Sequence, residues 1–196
     1  AQSQHKALII SSLEKYVPMS YSKTVKNYLA TAGYNVTFVS DAAVTLDLLT
    51  TQLAGYDLII WRTNAYDWAH TIYWYVGELS NQATLAKYGS DYASGALDNT
   101  NGILGVSVDF FNNHFSRGYL GNVKLVVLVS SLSVSIAEFF LRAGAKAAIE
   151  YTDALTLYND MIDYFTALVF SNLASGWTVQ DSVDTPVTHF RDLKLH

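Results

Sequence analysis

The sequence predicts an α/β fold, a mostly parallel central sheet flanked by helices. Three observations predict it. Strand-like and helix-like patterns alternate along the chain, as βαβ units require. The stretch from Val123 to Ala148, VKLVVLVSSLSVSIAEFFLRAGAKAA, places an apolar run rich in β-branched residues before a cluster of small hydroxyl residues and then an amphipathic segment. A run so short, with no polar residue alternating through Leu125 to Val129, is the pattern of a strand covered on both faces. Gly33, Gly144 and Gly176 stand where the predicted helices stop.

Taken in order, Ala7 to Ser11 (ALIIS) is a short buried strand, followed by a loop from Ser12 to Ser20 that contains Pro18. A helix from about Tyr21 to Ala32 puts Val25, Tyr28 and Leu29 on one face. Asn35 to Ser40 alternates as a second strand, and Thr45 to Leu53 gives a short helix through Leu46, Leu49 and Leu53. Asp57 to Arg62 (DLIIWR) is a third strand. Asp67 to Glu78 is dense in aromatics, and Leu79 to Asn101 reads as a polar excursion, helical near Gln82 to Tyr88. Gly102 to Val108 is extended and Asp109 to His114 a short helical turn. After the central strand, Ile136, Phe139, Phe140 and Ala143 recur at helical spacing. Ala147 to Tyr151 is a fifth strand. Leu155 to Ala174 is the longest helix, with Leu157, Met161, Tyr164, Phe165, Leu168 and Val169 inward, and Thr178 to Val183 starts a further helical segment. The whole chain, 1–196, is expected to be one domain, with its core in 7–183 and a charged tail in 186–196.

Charged residues make up 15% of the chain, against ~25% in an average soluble protein. The net charge of −5 argues against a nucleic-acid partner, which requires a basic face. No apolar run reaches the ~18–20 residues of a transmembrane segment. With no cysteine, disulfides, zinc–thiolate sites and a cysteine nucleophile are excluded. The acidic residues are too scattered to suggest a metal site. No G-x-G-x-x-G or Walker-type loop is present, so no nucleotide cofactor is expected. The opening AQSQ resembles a mature chain after signal cleavage, and with the low charge it leads to an expectation of a secreted or extracytoplasmic protein. Asn35-Val36-Thr37 is a glycosylation sequon.

The succession DLIIWRTNAY, TIYWYVGE, GILGVSVDFF, LVVLVSSLSVSIAEFFLRAGAKAAI, EYTDALTL and LASGWTV resembles the caspase-like superfamily, the fold of clostripain-like, gingipain-like and CHAT-type cysteine peptidases. The resemblance covers roughly Ala7 to Val183 and implies a three-layer sandwich. It also implies a histidine after the third strand and a cysteine after the fourth. Those positions fall at or next to Asn64 and at Ser131, with Ser130 one register away. The chain departs from the pattern at both. A serine hydroxyl needs a base to take its proton, and asparagine does not accept one usefully. A flavodoxin-like receiver or an amidotransferase-like domain competes at the level of the fold, but the phosphate-binding or nucleophile loop of those folds is missing.

Two readings of the site follow. Ser131 is a nucleophile or the replacement of one, with His70 or His114 as base. Alternatively it is a small residue packing a tight turn, and catalysis is lost. By the same resemblance Asp153 belongs to a pocket for a basic side chain, or it caps the next helix. Glu78 lines that cleft or is solvated. The aromatic group around Trp68, Tyr73, Trp74 and Tyr75 is an interaction surface or covers an edge of the sheet. The expected partner is a protein or peptide, self-association included, with no cofactor.

Overall fold

The computed structural model describes residues 5–15, 20–151 and 159–184. Five parallel strands form the main sheet: β1 (Lys6–Ser11), β2 (Asn35–Ser40), β3 (Leu58–Arg62), β8 (Leu125–Val129) and β9 (Ala148–Ile149), in the spatial order β2-β1-β3-β8-β9. Between β3 and β8 the chain builds a second, antiparallel sheet from β4 (Ala65–Trp68), β5 (Thr71–Leu79), β6 (Leu97–Thr100) and β7 (Ile103–Val106), in the order β4-β5-β7-β6. The helices are α1 (Ser20–Thr31), α2 (Leu46–Thr51), α3 (Gln82–Lys87), α4 (Gly89–Ser94), α5 (Val108–His114), α6 (Val134–Arg142) and α7 (Asn159–Ala174).

The strand order decides the layers. The step from β1 to β2 runs one way along the sheet, and the later steps run the other way. Right-handed crossovers therefore put α1 on one face and α2, α5 and α6 on the opposite one. The two cores agree. Ala7, Ile9, Leu58, Ile60, Val127 and Val129 pack with Val25 and Leu29 of α1 and Phe165, Val169 and Phe170 of α7. Leu8, Ile10, Ile59, Trp61, Val126 and Leu128 pack toward α2, α5 and α6 and the inner face of the second sheet. The parallel sheet is thus covered on both sides, a helix–sheet–helix arrangement. All of β8 is buried because its alternate side chains feed both cores.

The aromatic segment and the polar excursion differ from expectation: together they fold as the second sheet. Ala69 and His70 both have positive φ, 51° and 67°, which makes a two-residue turn of the primed type between β4 and β5. Asn101 and Gly102, at 54° and 83°, do the same between β6 and β7. The Asn-Gly pair is the strongest short signal for such a hairpin, and the sequence carries it openly. Ala-His carries a far weaker signal: histidine is enriched at positive φ, but alanine is not, and the pair is not one of the favoured hairpin dipeptides.

α7 is rotated from its predicted face. Phe165 and Val169 are buried, but Tyr164 is 56% exposed and Asp163 is buried. The apolar periodicity gave way to a buried carboxylate with a partner on the sheet. The Leu157 position lies outside the described residues.

At the amino edge of the sheet Asp57 ties three strands together. Its Oδ2 accepts the Lys6 N–H at 2.9 Å, and its Oδ1 lies 3.0 Å from Lys124 Nζ. The Lys6 amide first of all holds the Asp57 carboxyl below its ordinary value; burial opposes it, and Lys124 adds to the lowering. A depressed folded-state pKa stabilises above the unfolded value of about 3.9 and stops doing so as pH falls through the folded value. Asp57→Asn should therefore be less stable than the parent at neutral pH. The gap should close below about pH 4, as read by urea midpoints across a pH series.

Candidate functional site

In the order β2-β1-β3 the connections reverse direction between β1 and β3, and the carboxyl ends of those strands form the crevice where open α/β sheets bind ligands. A cleft of about 290 Å³ lies there. Ser12 and Leu13 enter it from the end of β1, Asn64 from the end of β3, and Tyr75, Gly77 and Ile103 from the second sheet. The walls are mostly apolar, with Ser12, Lys15, Asp41 and Asn64 as the polar and charged residues among them. Asn64 is half-buried, and its carbonyl accepts the Tyr75 N–H at 2.9 Å, which fixes β5 against the tip of β3.

Gly77 shapes the cleft. The pairing of β5 with β7 shifts register between Tyr75 and Leu79, and there β5 presses on the turn Asp41–Ala43. A Cβ on Gly77 would stand 1.6 Å from the Asp41 carbonyl oxygen. Asp41 itself has φ 49°, and its Oδ1 accepts the Lys15 N–H at 2.8 Å, tying the loop after β1 to the end of β2.

Ser131 is placed differently. β3 and β8 are neighbours in register, Arg62 opposite Val129, and the Thr63 N–H bonds the Val129 carbonyl at 3.1 Å. Asn64 and Ser131 thus follow adjacent strand ends, but Ser131 is not among the residues lining the cleft. It is buried in a tight turn. Ser130 Oγ donates to the Ser131 carbonyl at 3.0 Å, and Leu132 takes φ 54°. Ser133 Oγ accepts the Tyr151 N–H at 2.8 Å, closing the turn onto the chain leaving β9. The serine cluster thus has a demonstrable structural use at Ser130 and Ser133.

Among the described residues no hydrogen bond joins an imidazole to Ser131. His5 sits at the amino edge, 3.5 Å from Asp57. His114 ends α5 with Nε2 3.0 Å from Asp91 Oδ2. His70 is exposed in the β4–β5 turn, six residues beyond Asn64 along an extended strand of about 3.3 Å per residue. His189, His196 and the Asp153 position lie outside the described residues.

Glu78 serves the scaffold rather than the cleft. Its carboxylate accepts the Leu46 N–H at 3.0 Å, at the start of α2, and the Thr84 hydroxyl at 2.7 Å, on α3. A carboxylate suits the orphan amides of a helix start.

The predicted aromatic surface divides by strand parity. Trp74 is buried with Trp61 in the core between the sheets. Tyr73 is also buried and donates to the Gly95 carbonyl at 2.7 Å. On the outer face Tyr66 crosses the sheet between Tyr73 and Tyr75, with ring centroids at 5.4 and 4.7 Å, and passes over Gly105, where a Cβ would meet its hydroxyl at 2.4 Å. Its hydroxyl donates to Asp98 at 2.6 Å. Burial first, then the bond to Asp98, push the Tyr66 phenol up, so it stays a donor. Tyr75 is half-buried, and Trp68, 66% exposed, carries the exposed aromatic area at the hairpin. Tyr73 and Trp74 are therefore not surface residues, because alternate side chains of one strand go to opposite faces and both faces of β5 are covered.

Sequence reasoning missed a buried ion pair beneath the same edge. Arg62 ends β3 on the α1/α7 side and is 1% exposed. Its Nε and one terminal nitrogen hold the Asp163 carboxylate at 2.8 and 2.7 Å, and another nitrogen reaches Ser11 Oγ at 3.4 Å. Glu14 lies 4.0 Å away, bonded by the Ser22 hydroxyl. The signal was there: an arginine closing an apolar strand must either leave the sheet or find a buried anion.

Among the described residues no group of three His, Cys, Asp or Glu side chains could hold a metal. No described helix is long and apolar enough to cross a membrane. No protein-family model matches the chain, and no curated protein matches it.

Proposed function

We propose that this chain is an extracytoplasmic caspase-like domain without peptidase chemistry, which acts by protein binding or self-assembly and receives a protein or peptide at the carboxyl edge of its parallel sheet. The observation that carries the reading is the pair of adjacent strand tips: Asn64 opens onto a cleft, Ser131 is buried in a turn, and among the described residues neither has an imidazole bonded to it. General-base assistance contributes about 10²–10⁴-fold to such reactions, and a serine without it is a poor nucleophile. The cleft has room for one large side chain and is mostly apolar, which suits an apolar anchor residue with the peptide backbone near Asn64. The low charged fraction, 15%, supports the extracytoplasmic setting.

Purified protein should hydrolyse a panel of fluorogenic peptides no faster than Ser131→Ala does, both at the buffer rate. Hydrolysis abolished by Ser131→Ala would restore the peptidase alternative. On a peptide array the same protein should retain segments with a large apolar residue. Leu79→Asp, an exposed cleft residue whose change leaves the core intact, should reduce that retention. Equal retention by both proteins would remove the cleft from the reading.

A further inference from the structure

The main sheet ends in two unequal edges, and the second sheet adds two more. Proteins guard such edges by keeping them short, by charge, by proline or by bulges. Three of the four are guarded. β9 has two residues, β4 has four and carries Asp67, and β6 has four and carries Asp98. β2 is the exception. Its six residues, NVTFVS, include no charge and no proline, and its register with β1 is unbroken from Asn35 to Ser40. Among the described residues no strand pairs with its outer side.

The phase of the ladder is known. The Asn35 N–H bonds the His5 carbonyl at 2.8 Å, so Asn35, Thr37 and Val39 direct their backbone groups toward β1. Val36, Phe38 and Ser40 then direct theirs outward. Phe38 is 39% exposed on the α1 side of this edge, where Val36 packs against the α1/α7 core.

We propose that β2 is a dimerisation edge, occupied by β2 of a second copy in antiparallel register about a two-fold axis at Phe38. In that register Phe38 faces its own copy, Val36 of each copy faces Ser40 of the other, and each pair exchanges backbone hydrogen bonds. The occupant is a second copy because the strand is self-complementary. An uncharged strand on a two-fold axis sets no like charges opposite each other. Val36, which packs against the α1/α7 core, and Phe38 beside it set apolar side chains at the centre of the seam, with Ser40 of each copy at its ends. The inference deepens the assembly part of the reading above. A monomer would leave the hydrolysis and cleft results untouched, so the two can fail separately.

Sedimentation equilibrium over a concentration series tests it. The parent protein should show a reversible monomer–dimer equilibrium, and Phe38→Lys should weaken it by about tenfold or more. An equimolar mixture of Phe38→Lys and Phe38→Glu should recover association, since opposite charges then meet on the axis. Phe38→Pro, which removes an outward N–H that β1 does not use, should give monomer, and it stands in if the charged variants fail to fold. Urea midpoints check the fold of each variant. A parent protein that stays monomeric at every concentration overturns the proposal, whether or not it binds a free strand peptide. So do folded variants that dimerise like the parent, or a mixture of folded variants that does not recover association.

Discussion

Arg62→Ala should lower the unfolding free energy by about 3–5 kcal/mol, because it removes the guanidinium that a buried carboxylate holds through two hydrogen bonds. Asp163 is 3% exposed and holds two guanidinium nitrogens of Arg62 within hydrogen-bond distance. Asp163→Ala should also destabilise, since it removes the carboxylate that takes two of the Arg62 hydrogen bonds. The double change Arg62→Met with Asp163→Leu should recover much of the loss, since the desolvation of both charges is removed together. Urea denaturation of the three variants reads the coupling directly. If the double variant is as unstable as the sum of the singles, the pair is not the unit that matters. The ion pair joins α7 to the end of the strand that precedes Asn64. Its loss should therefore loosen the edge of the sheet on which the cleft stands, and hydrogen exchange of the Thr63 and Tyr75 amides should rise.

Gly77→Ala should be the second severe change, costing about 3 kcal/mol or more. The added methyl would fall 1.6 Å from a backbone oxygen and 2.3 Å from its carbon, and no side-chain rotation relieves that. The turn it meets is held from three sides, by the left-handed Asp41, by the Lys15 amide on the Asp41 carboxylate, and by the Glu78 N–H on the Val44 carbonyl. Either β5 withdraws or the turn does, and in both cases the cleft changes shape. Gly89→Ala is the control. It sits in open space at the start of α4 and should be neutral or stabilising by up to about 1 kcal/mol. Thermal and urea midpoints for the pair separate steric conflict from the general cost of losing a glycine. A mild Gly77→Ala would mean that the two sheets slide past each other more freely than their contacts indicate.

Local patterns carried a large part of this architecture. The β-branched run of β8 suited a doubly covered strand and is one, and Ile136, Phe139 and Phe140 on α6 and Ala143 at its end are all buried, as their spacing predicted. Leu46, Leu49 and Leu53 are buried likewise. The antiparallel sheet was not read from the sequence, although Asn101-Gly102 carries a hairpin signal that the reading of a polar excursion passed over. Of the site residues, Asn64 and Ser131 were expected at neighbouring strand ends through the family resemblance, and β3 and β8 do lie side by side. That one would open onto the cleft and the other turn inward was not legible.

Taken alone, the amino-acid sequence determined an α/β chain of alternating strands and helices, a net charge of −5 and the absence of thiol chemistry. Those properties reside in residue type and in periods of a few residues, which no later packing alters. Tertiary structure alone decided that Glu78 caps a helix, that Arg62 and Asp163 meet across 101 positions of sequence, and that Trp74 and Tyr73 are enclosed while Trp68 is not. Each of these depends on which surface another segment covers. A carboxylate, a guanidinium or an indole has no fixed role until a distant partner either satisfies it or leaves it to water.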